Sequence, residues 1–158
     1  MEALLDNPVL QASSKKRTGA SVNAYLILRQ EDQVLLHLRK NTGYMDGYWG
    51  LISGHVEDGE GAMSAIVRES LEEADIILDP AQLSVAHVLH RKSDRLNVDI
   101  FFECSNWNGM ITNKELDKCA ALEFFQVHDL PAHIIDYIAT VLKTIPCGKC
   151  YSELGWKE

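Results

Sequence analysis

The stretch from Ala62 to Ala74 carries two faces that cannot share one environment. Wound as a helix at about 100° per residue, Met63, Ile66, Val67, Ser70 and Ala74 form one stripe, apolar except for Ser70. Glu69, Glu72 and Glu73 gather on another face, within an arc of roughly 100°. Ala62 and Ala65 lie among the glutamates and leave room for something to approach. The apolar stripe must be covered by another layer of structure, and the acidic arc must meet water or a cation.

The rest of the chain supplies strands. Ala20 to Leu28 reads as one, and Val34 to Leu38 as its hairpin partner, with Arg29 to Gln33 as the polar turn. Asn41 to Tyr48 is rich in turn formers and aromatics, which suits an ordered loop beside a pocket. Trp49 to Ser53 reads as a short strand and Gly54 to Gly61 as a loop. Further strands are expected at Leu83 to Leu89, Val98 to Cys104 and Leu122 to Val127. Pro131 suits the first turn of a final helix reaching about Thr144, because its missing N–H is one the helix would leave unpaired. Ile134, Ile135, Ile138, Val141 and Leu142 recur there at helical spacing. The order strands, helix, strands, helix implies an α+β fold with a mixed β-sheet between helices. No repeat or linker divides the 158 residues, a length that suits one domain with one core. Residues 1–16 are expected as an arm or short helix, and residues 17–158 as the domain.

Charge narrows the function. The formal net charge is −8, which argues against a nucleic-acid backbone as partner, since that needs clustered Lys and Arg. Lys15-Lys16-Arg17 is the one basic run and reads as a solvated lead-in to the first strand. A small phosphorylated substrate remains compatible, because a bound cation reverses the local field. No apolar run is long enough to span a bilayer, and the first residues lack the pattern of a secretory signal, so a cytoplasmic protein is expected. Cys147 and Cys150 have the two-residue spacing of a metal or redox pair. A zinc site would need Cys104 and Cys119 as well, and these stand isolated in expected strands, so reduced thiols are the simpler reading.

Glu69 lies three residues before Glu72 and four before Glu73. Like charges at these spacings cost a few tenths of a kcal/mol each, roughly, in an isolated helix. A bound hard cation such as Mg²⁺, which takes carboxylate, water and phosphate oxygens, would turn the repulsion into attraction. A solvated acidic face, screened by Arg68 through its i,i+4 pairing with Glu72, is the simpler reading when the helix is taken alone.

The preceding loop adds spacing that a solvated face does not need. Gly54, then five residues, Glu60, then seven residues, Arg68-Glu69, then two residues, Glu72-Glu73, and finally Ile76 form a fixed pattern. This pattern resembles the Nudix box, whose family fold is an α/β/α sandwich. The resemblance implies a hydrolase that cuts a diphosphate bond with Mg²⁺ or Mn²⁺. It further implies that Glu69 and Glu73 are the principal metal ligands, with Glu72 completing the cluster and the Ser53 carbonyl beside Gly54 as a further ligand. Glu60 would pair with Arg68 and brace loop against helix. The metal would neutralise and orient the diphosphate and lower the pKa of a water. Glu69, or a carboxylate outside the box, would take the proton of the attacking water. Glu115 is a candidate for that role or for an outer ligand, and a solvated loop acid is its simpler reading.

Two positions depart from the box. Ser70 stands where the family prefers an aliphatic residue, in the middle of the core stripe, so its hydroxyl needs a partner such as the carbonyl one turn back. Asp75 stands where the family has glycine. Asp tolerates a left-handed backbone better than most residues, but its charge is unfavourable at a helix C-terminus. Both changes bear on stability, and neither removes a ligand.

The box does not choose the substrate. Family substrates are nucleoside diphosphates linked to another group, and a small single domain favours a nucleoside triphosphate or similar small nucleotide. A nucleotide sugar is the alternative, as is a nucleotide-binding sensor with weak hydrolysis. An isomerase on a related scaffold would need a catalytic Cys, for which Cys104 and Cys119 lack a supporting motif. Tyr44 and Tyr48 are candidates to stack on a base, with Trp49 divided between that role and core packing. His87 and Arg91, with His90, are candidates for phosphate contact, and exposed polar residues are the simpler reading. The resemblance allows a homodimer.

Overall fold

The computed structural model describes residues 18–157; the expected arm at residues 1–16 and the basic run at 15–17 lie outside them. In chain order the elements are β1 (Ser21–Gln30), β2 (Gln33–Arg39), β3 (Trp49–Gly50), β4 (Ser53–His55), α1 (Ala62–Ala74), β5 (Ser84–Lys92), β6 (Leu96–Cys104), β7 (Cys119–Gln126), α2 (Asp136–Thr144) and β8 (Tyr151–Leu154). They form a mixed eight-stranded sheet with helices on both faces, the α/β/α sandwich of an α+β chain. No helix among the described residues is long and apolar enough to cross a membrane.

β1 is the hub because its side chains are buried on both faces from Asn23 to Leu28. Ala24, Leu26 and Leu28 join Ala65, Ile66 and Ala74 of α1 in one core. Tyr25 and Ile27 join Ile138, Val141 and Leu142 of α2 in the other. A strand covered on both sides reads as a continuous apolar run, as this one does. Along one edge β1 pairs in parallel with β6 from Ser21↔Asn97 to Leu28↔Cys104. β5 then adds antiparallel to β6, and β8 adds parallel to β5.

The other edge of β1 is shared, and this places the site. β4 pairs with Asn23, Ala24 and Tyr25, whereas β2 pairs only at the hairpin end, Arg29↔Val34 and Gln30↔Gln33. Beyond the hairpin β2 leaves β1 and pairs with β7 and β3. The divergence opens a groove between the two arms of the sheet.

Several elements differ from expectation for identifiable reasons. The β1–β2 turn is shorter, because Glu31 adopts a left-handed φ of 54° and closes it in two residues. The expected strand Trp49 to Ser53 splits into β3 and β4, with Leu51 and Ile52 between them buried in opposite cores. The last helix starts at Asp136 rather than near Pro131. The preceding residues are held extended against β3, where Trp49 N–H donates to His133 O at 2.7 Å and Ile135 N–H to Trp49 O at 3.0 Å. Ala65 is fully buried in the core rather than open beside the glutamates, because it packs with the α1 stripe. β8 has too few residues to show a pattern of its own and is held by pairing with β5.

The two departures in α1 are accommodated locally. Ser70 is buried, and its hydroxyl donates to Ile66 O one turn back at 2.6 Å. Asp75 ends the helix at φ 57°, ψ 30°, the left-handed conformation that a glycine would adopt without strain.

His87 is not a phosphate contact. A β-bulge between Val85 and His87 shifts the register and turns its ring inward. There it is fully buried, with Nδ1 at 3.0 Å from Lys149 O and Nε2 at 2.7 Å from Ser152 Oγ. A neutral ring satisfies both, with Nδ1–H donating to the carbonyl and Nε2 accepting from the hydroxyl. His87 thus ties β8 to β5. Ser152→Ala should leave Nε2 buried without a partner and cost about 1–3 kcal/mol, seen as a lower urea midpoint than wild type.

Candidate active site

α1 and the β3–β4 segment form one wall of a groove of about 780 Å³. Arg68 organises this wall. Its Nη2 lies 2.7 Å from Glu60 Oε1 and its Nη1 2.7 Å from Glu69 Oε1, with Nη2 also donating to His55 O at 3.3 Å. One guanidinium thereby joins the loop before α1, strand β4 and the helix face. The hydrogen bond from Arg68 holds the Glu60 carboxyl below its usual range. Glu72 is reached at 3.4 Å, but its side chain is 53% exposed, so that contact is screened and weak.

Glu69 and Glu73 are in a different environment. Burial pushes the Glu69 carboxyl up against the opposing pull of Arg68. Burial, then the charges of Glu69 and Glu115, push Glu73 well above the usual carboxylate range. Glu73 Oε2 is covered and has no hydrogen-bond partner. A buried ionised oxygen without a partner is costly, so this atom calls for a positive charge.

Among the described residues no three His, Cys, Asp or Glu side chains already converge as a ligand group. Arg68 engages one Glu69 oxygen, and the remaining carboxylates repel one another. The donors nevertheless fit a hard divalent cation. Glu69, Glu72 and Glu73 offer oxygens on one face, and Ser53 and Gly54 line the groove beside them. Gly54 leaves room for the Glu69 carboxylate, which a Cβ at this position would overlap and displace.

Glu115 enters the same wall from the loop before β7. That loop is tied to the helix end by Lys114 N–H to Glu73 O at 3.0 Å and Thr112 N–H to Ala74 O at 2.9 Å. The carboxylate lines the groove near enough to raise Glu69 and Glu73.

The facing wall comes from β1, β5, β6 and α2. Arg91 borders the groove, with Nε 2.7 Å from Asp99 Oδ2 and its guanidinium 4.3 Å from the centre of the Tyr137 ring. Asp99 also accepts from Asn23 Nδ2 at 2.7 Å, and Asn23 Oδ1 lies 2.6 Å from His55 Nδ1. This chain of contacts runs from Arg91 to the strand that carries Gly54. The sequence reading missed Asn23 and Asp99. Their signal is a polar residue set among apolar ones in each of two strand runs, and the β1–β6 register sets the two side by side.

Tyr44 lies at the groove with the Arg39 guanidinium 5.5 Å from its ring centre. Its loop is fastened by Asp46, which accepts from the amides of Thr42 and Gly43 at 3.0 Å each. Tyr48 does not line the groove. Its ring meets His133 edge-on at 5.7 Å, and its carbonyl is taken by Arg39 N–H. Trp49 packs edge-on against Phe125 at 4.7 Å as part of the core. His90 packs against Trp156, away from the groove. All four cysteines are free thiols, with Cys104 and Cys119 buried and Cys147 and Cys150 exposed.

The groove also contains His37, on β2, which is 8% exposed. Burial, and secondarily the charge of Arg39, lower its pKa to about 4. An unfolded histidine titrates near 6.5, so the unfolded chain takes up a proton first as pH falls. The contribution to stability is present above about 6.5 and is lost between there and about 4, up to about 3 kcal/mol. His37→Leu should flatten the stability–pH curve across that interval, measured by urea unfolding at several pH values. Gly54→Ala should cost about 1–3 kcal/mol by overpacking, and adding Glu69→Ala should recover most of that loss in a double-mutant cycle.

A family model described as the NUDIX domain matches residues 17–143. Among solved structures, the MutT NUDIX hydrolase of Burkholderia pseudomallei aligns at a TM-score of 0.73 and 24% identity, covering 79% of this chain and 97% of that one. A NUDIX hydrolase of Nitrosomonas europaea aligns at 0.70 and 19%, covering 84% and 93%. The MutT protein of Methanosarcina mazei Go1 aligns at 0.70 and 14%, covering 85% and 98%. At these identities the likeness is one of fold. No curated protein matches the sequence.

Proposed function

The chain belongs to the NUDIX family, and from that premise we propose that it is a magnesium-dependent pyrophosphohydrolase acting on a nucleoside triphosphate or similar small nucleotide. The observation that carries this reading is the Glu73 oxygen, buried without a partner beside Glu69 and Glu115 at a groove wide enough for a nucleotide.

Glu73 and Glu69 would hold the ion, with Glu72 and the Ser53 carbonyl as further oxygens. A divalent cation bound there would supply the positive charge that offsets the diphosphate and would acidify the attacking water. The chain's own groups do the rest. Glu60 fixes Arg68, and Arg68 fixes Glu69 against Gly54. Arg39 and Lys118 line the groove and would present positive charge to the outer phosphates, with Arg91, partly offset by Asp99, across from them. Tyr44 offers a ring at the mouth for stacking. Water attacks phosphorus, the bond from phosphorus to the leaving phosphate oxygen breaks, and Glu69 or Glu115 takes the proton.

Turnover of a panel of nucleoside triphosphates, nucleotide sugars and dinucleotides with Mg²⁺, with products identified, tests the substrate class. Chelation with EDTA should abolish turnover and Mg²⁺ or Mn²⁺ should restore it. Glu73→Gln should leave the fold intact and lower hydrolysis by at least about a hundredfold, the scale of losing a key catalytic group. Near-normal turnover in folded Glu73→Gln protein would overturn the assignment.

A further inference from the structure

One part of the groove lies between β2, β3 and the start of α2, and is lined by His37, Gly50, Leu51, Ile135 and Ile138. Four of these five are apolar or have no side chain. His37 is the exception, and its surroundings give it nothing to bind. Its Nε2 is covered and has no hydrogen-bond partner. Its cross-strand partner is Gly50, where an added Cβ would come within 3.3 Å of both Nε2 and Ile135 Cδ1.

A leucine would fill this position on β2 without a polar orphan. An unpaired buried polar atom is costly, and a residue that bears such a cost calls for an explanation outside the folded chain itself. The cost is offset when a ligand supplies the missing partner. The carboxylate wall and the cationic flanks account for the phosphate part of a substrate. What remains is its non-reacting part, which must enter an apolar slot that holds a single imidazole.

We propose that His37 is a specificity-determining residue that hydrogen-bonds the edge of a heterocyclic base seated in this slot. The neutral ring carries one N–H donor and one nitrogen acceptor, so it matches a flat heterocycle that offers N–H or carbonyl groups at its rim. It discriminates between bases because a mismatched edge leaves the buried nitrogen unpaired, the condition under which polar recognition is selective. Gly50 is part of the same device, since any side chain there would press on the ring. The inference rests on the nucleotide reading above and extends it to the base.

The experiment compares wild type with His37→Leu on ATP, GTP, CTP and UTP, and on inorganic tripolyphosphate, which has no base. Wild type should prefer some bases over others. His37→Leu should lower kcat/KM for the preferred nucleotide by about 10- to 100-fold, chiefly through KM, and compress the preference among the four. Tripolyphosphate hydrolysis should stay within about twofold and the urea midpoint at pH 8 should not fall, since losing an unpaired polar atom is not destabilising. An unchanged preference, or equal losses on tripolyphosphate and nucleotides, would overturn the role of His37 while leaving the hydrolase reading standing. A wild type that cleaves other diphosphates but none of the four nucleotides would overturn the nucleotide reading itself. If His37→Leu does not fold, ¹⁵N-labelled wild type titrated with the α,β-methylene analogue of the preferred nucleotide gives the answer. A shift of the His37 ring nitrogens supports the contact, and no shift overturns it.

Discussion

The structure depends on β1 being buried on both faces while one of its edges is divided between two partners. Burial on both faces links the α1 and α2 cores through a single strand. The divided edge, with β4 at one end and β2 at the other, creates the groove. A fully paired edge would have produced a closed sheet with no space between the carboxylate wall and the facing wall. The position of Gly54 follows from the same arrangement, since β4 must lie against β1 and against the Glu69 side of α1 at once.

How much of this was legible in the sequence follows from how local each feature is. Helix α1 was readable to the residue, because its apolar period and the flanking Gly61 and Asp75 are all within the segment. The start of α2 was misplaced, because Ile134 and Ile135 have helical spacing but their backbone is engaged by Trp49, far away in the chain. The carboxylates and Arg68 were readable because one helix and one loop carry them at fixed spacing. The rest of the groove was not, because Asn23, His37, Asp99 and Tyr137 come from four elements brought together by long-range pairing. His87 shows the same limit from the other side: a bulge one residue away decides whether that imidazole meets solvent or core.

The distribution of charge in the groove is also informative. Arg68 is shared among Glu60, Glu69 and Glu72, so it cannot also neutralise Glu73. Arg91 is committed to Asp99 on the opposite wall. The most deeply buried acid of the wall is therefore one that no salt bridge among the described residues reaches, in a molecule whose formal net charge is already −8. A phosphate drawn close to that acid would meet a charge of its own sign unless a cation is bound between them.

The parallel pairing of β1 with β6 has a consequence for how the fold assembles. Residues 21 to 28 must find residues 97 to 104, whereas the adjacent hairpin with β2 secures only the last two positions of β1. The strand with the longest apolar run is thus made well before the strand that completes its set of partners. Topologies that rely on such distant pairing fold slowly and expose sticky edges in the interval. The same strand that organises the native sheet is thereby the segment most in need of protection from self-association while the chain is still incomplete.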